Sequence, residues 1–258
     1  MLSGDFMALF NIKFYSHVTH IPQNAVVFLP DRRKFDGNSD LKVLWLLHGM
    51  CAVASDWIQL TRITEYAQEA GIAVVMPDCG NSYYADMRHG AKYETYFVNE
   101  LMPNVNAWFG FSAKKSKNAV AGASMGAFAA VKLALKTGLF GAVGSLSAPM
   151  DLHTAVSSLT DKFKDCRQKF FSLAYGDLDR FERCDDNVVN LLPRAKDLPM
   201  FLYCGRLDAL YKINCDMYKK FLDSGAEVVF CEDDGDHTWK SWDARLPDMI
   251  NFLSAKLD

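Results

Sequence analysis

Closely spaced cysteines are missing from this chain. Its seven cysteines (Cys51, Cys79, Cys166, Cys184, Cys204, Cys215 and Cys231) are scattered over 258 residues, and the nearest two, Cys204 and Cys215, stand eleven positions apart. There is no C-x-x-C pair and the count is odd, which excludes a disulfide-stapled scaffold and the common zinc ribbons. Reduced thiols in a cytoplasmic protein are the expectation. The six histidines form no H-E-x-x-H or similar spacing, so neither a metal nor any other cofactor is expected. Long apolar runs are lacking too: "VLWLL" at 43–47 is among the longest, far short of the roughly 20 residues that span a bilayer. The opening "MLSGDFMALFNIKFYSHV" has no basic region, apolar stretch or small-residue cleavage site, and so does not read as a signal peptide. Met7 offers an alternative natural start, with residues 1–6 as an upstream extension. Charge of one sign is not in excess, with 28 Lys and Arg against 31 Asp and Glu and a net charge of -3. Without a basic stripe, nucleic acid is excluded as a partner, as a membrane is by the short apolar runs.

What is present is a chain with a sizeable core. Half of its residues are hydrophobic, and residues 1–258 are read as one domain. Short runs rich in Val, Ile, Phe and Tyr predict strands at 11–18, 24–30, 42–48, 73–77, 118–124, 142–148, 200–205 and 228–233. The first two lie close together and alternate, as an antiparallel pair at a sheet edge would. The others are nearly continuous in apolar character, as expected for strands covered on both faces. Helical spacing recurs at 55–71, which opens on Ser55-Asp56 and stops at Gly71, and at 93–109, where Pro103 predicts a break. It recurs again at 125–138 and 211–225. Strands alternating with helices predict an α/β fold: a mostly parallel central sheet with helices on both faces. Residues 149–199, with "AVSSLTDKFKDCRQKFFSLA" among them, exceed what one crossover helix needs. They are read as a small helical cap insertion beside the active site, or else as a surface embellishment.

"GASMG" at 122–126 matches G-x-S-x-G. The pattern alone is short, and its context is what carries weight. A predicted strand ends at Ser124 and a helix begins directly after it, the arrangement of a nucleophile elbow. Glycines are needed on either side because side chains there would collide with the neighbouring strand and helix. The new helix directs its free N–H groups towards a reacting carbonyl. The competing reading is a tight, well-packed turn.

A serine needs a base at neutral pH, and in the elbow-bearing fold the chain order is Ser, acid, His. His153 and His237 follow Ser124, and His237 is favoured because its loop comes after the last strand. The acid is expected after the preceding strand, where "CGRLDALY" supplies Asp208. Asp236 adjoins His237 too closely to orient it, and Asp177 and Asp179 follow no core strand. Glu232, Asp233 and Asp234 come too late in the order and are read as a solvated strand end and turn. Two backbone donors should hold the oxyanion: Met125 N–H after the nucleophile, and Met50 N–H in "LLHGMC", where Gly49 lets the chain turn in. His48 is then expected to fix that loop rather than to act as a base. Tyr83, Tyr84 and Trp239 either line the pocket or only pack. A histidine base must be neutral, so activity is expected to fall below a pKa of about 6–7.

The set "LLHGM…DW", "MPDCGNSYYAD", "GASMGAF", "CGRLDALY" and "GDHTWKSW" resembles the esterase D-like branch of the α/β hydrolases. That branch includes tributyrin esterases, S-formylglutathione hydrolases, feruloyl and acetyl-xylan esterases and mycolyltransferases. The likeness runs from about Met7 onward, is strongest to tributyrin esterases, and is weakest over 149–199. It implies an α/β-hydrolase fold and a serine carboxylesterase acting on small-molecule esters, with acyl groups from acetyl to butyryl on simple alcohols or acetylated sugars. The formylglutathione hydrolases' Ser-Gly-Leu-Thr-Cys loop is absent, and His-Gly-Met-Cys stands instead, which weighs against a glutathione thioester. A thioesterase, a feruloyl esterase, an acyltransferase and a non-catalytic binding module are the alternatives. A homo-oligomer is compatible with all of these, and no interface signature is legible.

Overall fold

The apolar runs assemble into an eight-stranded sheet in the computed structural model of the protein, which describes residues 7–31, 41–157 and 164–258. The strands are β1 (Ala8–Tyr15), β2 (Pro22–Leu29), β3 (Lys42–Leu47), β4 (Ile72–Pro77), β5 (Asn118–Ala123), β6 (Ala142–Leu146), β7 (Pro199–Tyr203) and β8 (Glu227–Cys231), in the spatial order β1-β2-β4-β3-β5-β6-β7-β8. β1 and β2 form the expected antiparallel edge pair, with Ala8 opposite Leu29, and β2 is also antiparallel to β4. From β4 to β8 every neighbouring pair is parallel.

The period-two alternation of a strand explains why these runs are apolar throughout. Val43, Trp45 and Leu47 enter the core on one face of the sheet, and Leu44 and Leu46 enter the core on the other. Each such fully buried side chain contributes about 1.5–3 kcal/mol. The second core is covered by α1 (Asp56–Leu60), α2 (Ile63–Ala70) and, from the end of the chain, the helix Trp239–Ala255. The first is covered by a helical run built from α3 (Tyr93–Thr95), a π-turn segment (Tyr96–Leu101) and α4 (Met102–Phe109), by α5 (Met125–Thr137), and by the helix Tyr211–Asp223. Between β6 and β7 lie α6 (Leu152–Ser157), α7 (Lys164–Tyr175), α8 (Leu178–Glu182) and α9 (Val188–Leu191). The two helices near the C-terminus are then α10 (Tyr211–Asp223) and α11 (Trp239–Ala255). Part of the stretch read as helical within 149–199, residues 158–163, lies outside the described residues.

Three expectations are revised by contacts remote in sequence. β1 ends at Tyr15 rather than at residue 18, because Glu100 draws the following turn inward: its carboxylate accepts from the Ser16 hydroxyl and, at 2.7 Å, from His17 N–H. The helix expected over 55–71 is two helices. Thr61 turns its hydroxyl onto the Trp57 carbonyl, and Arg62 N–H donates to Asp243 Oδ1 at 2.8 Å, which starts α2 in a new direction. Pro103 does not break the run at 93–109. The preceding π-turn widens the helix where the proline ring and missing N–H would otherwise conflict with the i−4 carbonyl. Among the described residues no helix is long and apolar enough to cross a membrane.

Candidate active site

Ser124 sits at the junction of β5 and α5 with φ 53° and ψ −118°. A non-glycine residue there carries about 1–3 kcal/mol of backbone strain. The surroundings hold it in place: Ser124 N–H donates to Leu146 O at 2.8 Å, and its carbonyl accepts from Phe128 N–H at 3.0 Å. The flanking glycines are required by proximity. A Cβ at Gly126 would lie 2.2 Å from Leu47 O, and one at Gly122 would lie 2.5 Å from the Gly126 carbonyl. Both close contacts are with backbone, which has no room to give. β5 and α5 can therefore press against the end of β3, which brings Gly49 against the Ser124 Cβ.

Asp208 and His237 arrive from the C-terminal ends of β7 and β8, the end of a parallel sheet where ligands bind. Ser124 Oγ lies 2.9 Å from His237 Nε2, and His237 Nδ1 lies 2.8 Å from Asp208 Oδ2. The Asp208 side chain is 1% exposed and that of His237 31% exposed, so the acid is dry while the imidazole faces the site. Burial pushes the Asp208 carboxyl up, but the bonds from His237, Leu210 N–H and the Ser147 hydroxyl outweigh it and leave the group below the ordinary carboxylate range. A carboxylate that accepts from His237 Nδ1–H leaves Nε2 free to take a proton from the serine. The two loops are sewn together. A Cβ at Gly205 would fall 2.1 Å from Gly235 O, Arg206 N–H donates to Asp233 O at 2.7 Å, and Leu207 N–H donates to Gly235 O at 3.0 Å.

The loop after β3 is held from beneath by the loop after β4. His48 is fully buried; its Nε2 accepts from Cys79 N–H at 3.1 Å, so its Nδ1 carries the proton and donates to Gly49 O at 2.8 Å. Burial lowers the His48 pKa, with the bond to Gly49 opposing, so the ring is neutral. Gripping the Gly49 carbonyl fixes the whole Gly49–Met50 peptide plane, and with it the direction of Met50 N–H. Among the described residues no protein acceptor engages the N–H of Met50 or of Met125. His48→Leu is expected to lower kcat by about 10²–10³, the loss of one oxyanion donor, with KM nearly unchanged. Steady-state kinetics on p-nitrophenyl acetate check this, and an unchanged kcat would refute the role.

The three aromatic residues expected near the pocket are placed by packing. Tyr84 is fully buried, which removes it from contact with substrate; its hydroxyl accepts from His48 N–H at 2.9 Å. Tyr83 is 3% exposed, with its N–H on Met125 Sδ at 3.4 Å and its ring against Phe128 and Tyr175. Trp239 packs edge-on against Trp57 and Trp242, with ring centroids 4.9 and 5.2 Å away. His153 lies apart, 3.3 Å from Glu182. Asp233, read as a solvated turn, instead accepts from Arg245 and from the Tyr203 hydroxyl, while Glu232 and Asp234 pair with Arg206.

Two further supporting residues were not among the expected site residues: Trp242, the last residue of "GDHTWKSW", and Lys132. The Trp242 ring meets that of His237 edge-on at 5.1 Å, and its Nε1 donates to Ser147 Oγ at 3.1 Å. Lys132, wholly buried on α5, donates to Tyr84 O at 2.8 Å and pairs with Asp186 and Glu94, each at 3.1 Å. It thereby holds Tyr83 and Tyr84, both at positive φ, under the His48 loop. A lysine on an otherwise apolar helix face was the available signal.

Known proteins resemble this chain in sequence and in fold. An acetyl esterase of Caldicellulosiruptor saccharolyticus is 28% identical over 267 residues, covering 98% of this chain and 100% of that protein. The Staphylococcus aureus fluorophosphonate-binding serine hydrolase F (FphF), solved with substrate bound, superposes with a TM-score of 0.85 at 28% identity, over 96% of this chain and 98% of its own. An S-formylglutathione hydrolase (FrmB) from the same organism gives a TM-score of 0.82 at 28% identity, over 96% and 99%. The sequence profile of the Esterase family, described as "Putative esterase", matches residues 16–253. The chain belongs to that Esterase family and is a carboxylic ester hydrolase on the α/β-hydrolase fold.

Proposed function

We propose that the protein is a serine carboxylesterase that removes short acyl groups, acetyl to butyryl, from small esters of the tributyrin or acetylated-sugar type through an acyl-enzyme on Ser124. The observation that carries this reading is the unbroken hydrogen-bonded line from Ser124 Oγ through His237 to the buried Asp208. Ser124 Oγ attacks the ester carbonyl carbon as His237 Nε2 takes its proton. Asp208 holds the imidazole and stabilises its positive charge. The carbonyl oxygen becomes an oxyanion between the N–H groups of Met50 and Met125. Collapse expels the alcohol, which leaves with the proton from Nε2. Water then attacks the acyl-enzyme by the same route and releases the acid. Helices α6–α9 serve as the cap beside this site, and the cysteine spacing favours a cytoplasmic setting.

The end-to-end likeness to an acetyl esterase supports a small acyl group. Hydrolysis of p-nitrophenyl acetate, butyrate, octanoate and ferulate tests it. The short esters are expected to exceed octanoate in kcat/KM by at least about ten-fold, the scale on which an apolar pocket discriminates chain length. A preference for ferulate would replace this reading with a feruloyl esterase. The likeness to an S-formylglutathione hydrolase favours a second reading as a thioesterase. The His-Gly-Met-Cys loop weighs against it, and higher kcat/KM on a formyl thioester than on the acetate ester would establish it.

A further inference from the structure

A buried cation stands behind the site without touching the reacting atoms. Lys132 lies on α5 about two turns beyond Met125. Its side chain is wholly buried, and its ammonium has three N–H donors to place. They meet Tyr84 O at 2.8 Å, Tyr83 O at 3.4 Å and Asp186 Oδ2 at 3.1 Å, and Glu94 Oε2 is 3.1 Å away as well. Asp186 comes from the turn between α8 and α9, in the segment between β6 and β7, and Glu94 comes from α3. The other oxygen of each carboxylate pairs with Lys136 at 2.7 Å. Two lysines one turn apart on α5 and two carboxylates from elsewhere thus close a charge-balanced cluster. Stability alone does not call for it, since apolar side chains in place of a buried ion pair are often as stable.

What the ammonium adds is a fixed shape for the tyrosine turn. Tyr83 and Tyr84 are consecutive residues at φ 54° and φ 50°, a left-handed conformation that side chains disfavour and that persists only where the surroundings impose it. Both of their carbonyls meet the one cation. The turn in its shape reaches both sides of the oxyanion site. Tyr83 N–H lies on Met125 Sδ at 3.4 Å. The Tyr84 hydroxyl accepts from His48 N–H at 2.9 Å and donates to His48 O at 3.4 Å, and His48 Nδ1 grips Gly49 O at 2.8 Å. A continuous line of bonds therefore runs from Asp186 through Lys132, Tyr84 and His48 to the peptide plane that carries Met50 N–H. We propose that Lys132, held by Asp186 and Glu94, is a positioning residue for the oxyanion hole and sets the turnover of the esterase from behind. The proposal rests on the reading of Met50 and Met125 as oxyanion donors.

Steady-state kinetics on p-nitrophenyl acetate test it, with kcat counted per serine titrated by a fluorophosphonate so that unfolded protein is not scored. Lys132→Met is expected to lower kcat by about 10–100-fold, the scale of a 1 Å shift in a catalytic group, with KM within about three-fold of wild type. Lys132→Met with Asp186→Asn leaves Lys136 and Glu94 as a balanced pair. This double variant is expected to recover the melting temperature but not kcat, whereas a merely structural role would recover both. Added to His48→Leu, Lys132→Met is expected to cost no more than about a further three-fold, because both act on one peptide plane. Recovery of kcat in the balanced variant, a loss confined to KM, or a full multiplicative loss on the His48→Leu background would overturn the proposal. If the Lys132 variants do not fold, Tyr84→Phe decides, since it leaves all four charges in place and removes the hydroxyl that meets His48. A fall in kcat of about ten-fold is expected there, and an unchanged kcat overturns the proposal. An unchanged kcat in His48→Leu sinks the Met50 reading and this proposal with it. A loss in His48→Leu with none in the balanced Lys132 variant sinks this proposal alone.

Discussion

Ser124→Ala is expected to lower kcat/KM for p-nitrophenyl acetate by about 10⁵–10⁶, leaving the residual rate that an oxyanion hole alone supports. Alanine keeps the Cβ, so the strained backbone at φ 53° is neither relieved nor worsened. The glycine contacts with Leu47 O and the bond from Ser124 N–H to Leu146 O persist. What disappears is one oxygen and its 2.9 Å bond to His237. The melting temperature should therefore stay within a few degrees of wild type while stoichiometric labelling by a fluorophosphonate vanishes. Activity within ten-fold of wild type would return "GASMG" to the status of a packed turn.

Asp208→Asn should lower kcat by about 10⁴ with KM little changed. The reason lies in the second oxygen. Oδ2 faces His237 and Oδ1 accepts from Leu210 N–H at 2.9 Å. An asparagine has one oxygen and one amide nitrogen. If the oxygen stays on Leu210 N–H, the amide donates to His237 Nδ1, the ring proton moves to Nε2, and the serine loses its base. Pre-steady-state acylation should slow as much as turnover. A variant that loses only KM would show that the carboxylate shapes the pocket instead. The acid also has a sign in pH. Its folded pKa is depressed, so its contribution to stability is present above the unfolded value of about 3.9 and fades as pH falls through the lower folded value. A loss of activity that sets in above about pH 5 therefore belongs to another group.

Much of this site is legible along the chain because its chemistry is local in character. The two glycines around Ser124, the strand before it and the helix after it form one continuous stretch. The order Ser124, Asp208, His237 follows from strands whose apolar runs announce themselves. The pocket aromatics were less tractable: the same "NSYYAD" composition suits a lining or a buried brace, and the difference is the environment of Tyr84, whose hydroxyl meets His48. The segment between β6 and β7 is similar, since spacing marks its helices without placing Ala174 and Leu173 on the N–H groups of Arg88 and His89.

Periodicity, glycine placement and residue order are properties of neighbours along the chain, and from them the strands, the parallel sheet and the three side chains proposed as catalytic could be written down. The bend between α1 and α2, the early end of β1, the bond of Trp242 to Ser147 and the hold of Lys132 on Tyr83 and Tyr84 came from folding alone. Each depends on groups tens or hundreds of positions apart that meet because a buried polar or charged atom must find a partner. Many partners along the chain have the right chemistry, and packing leaves one within reach.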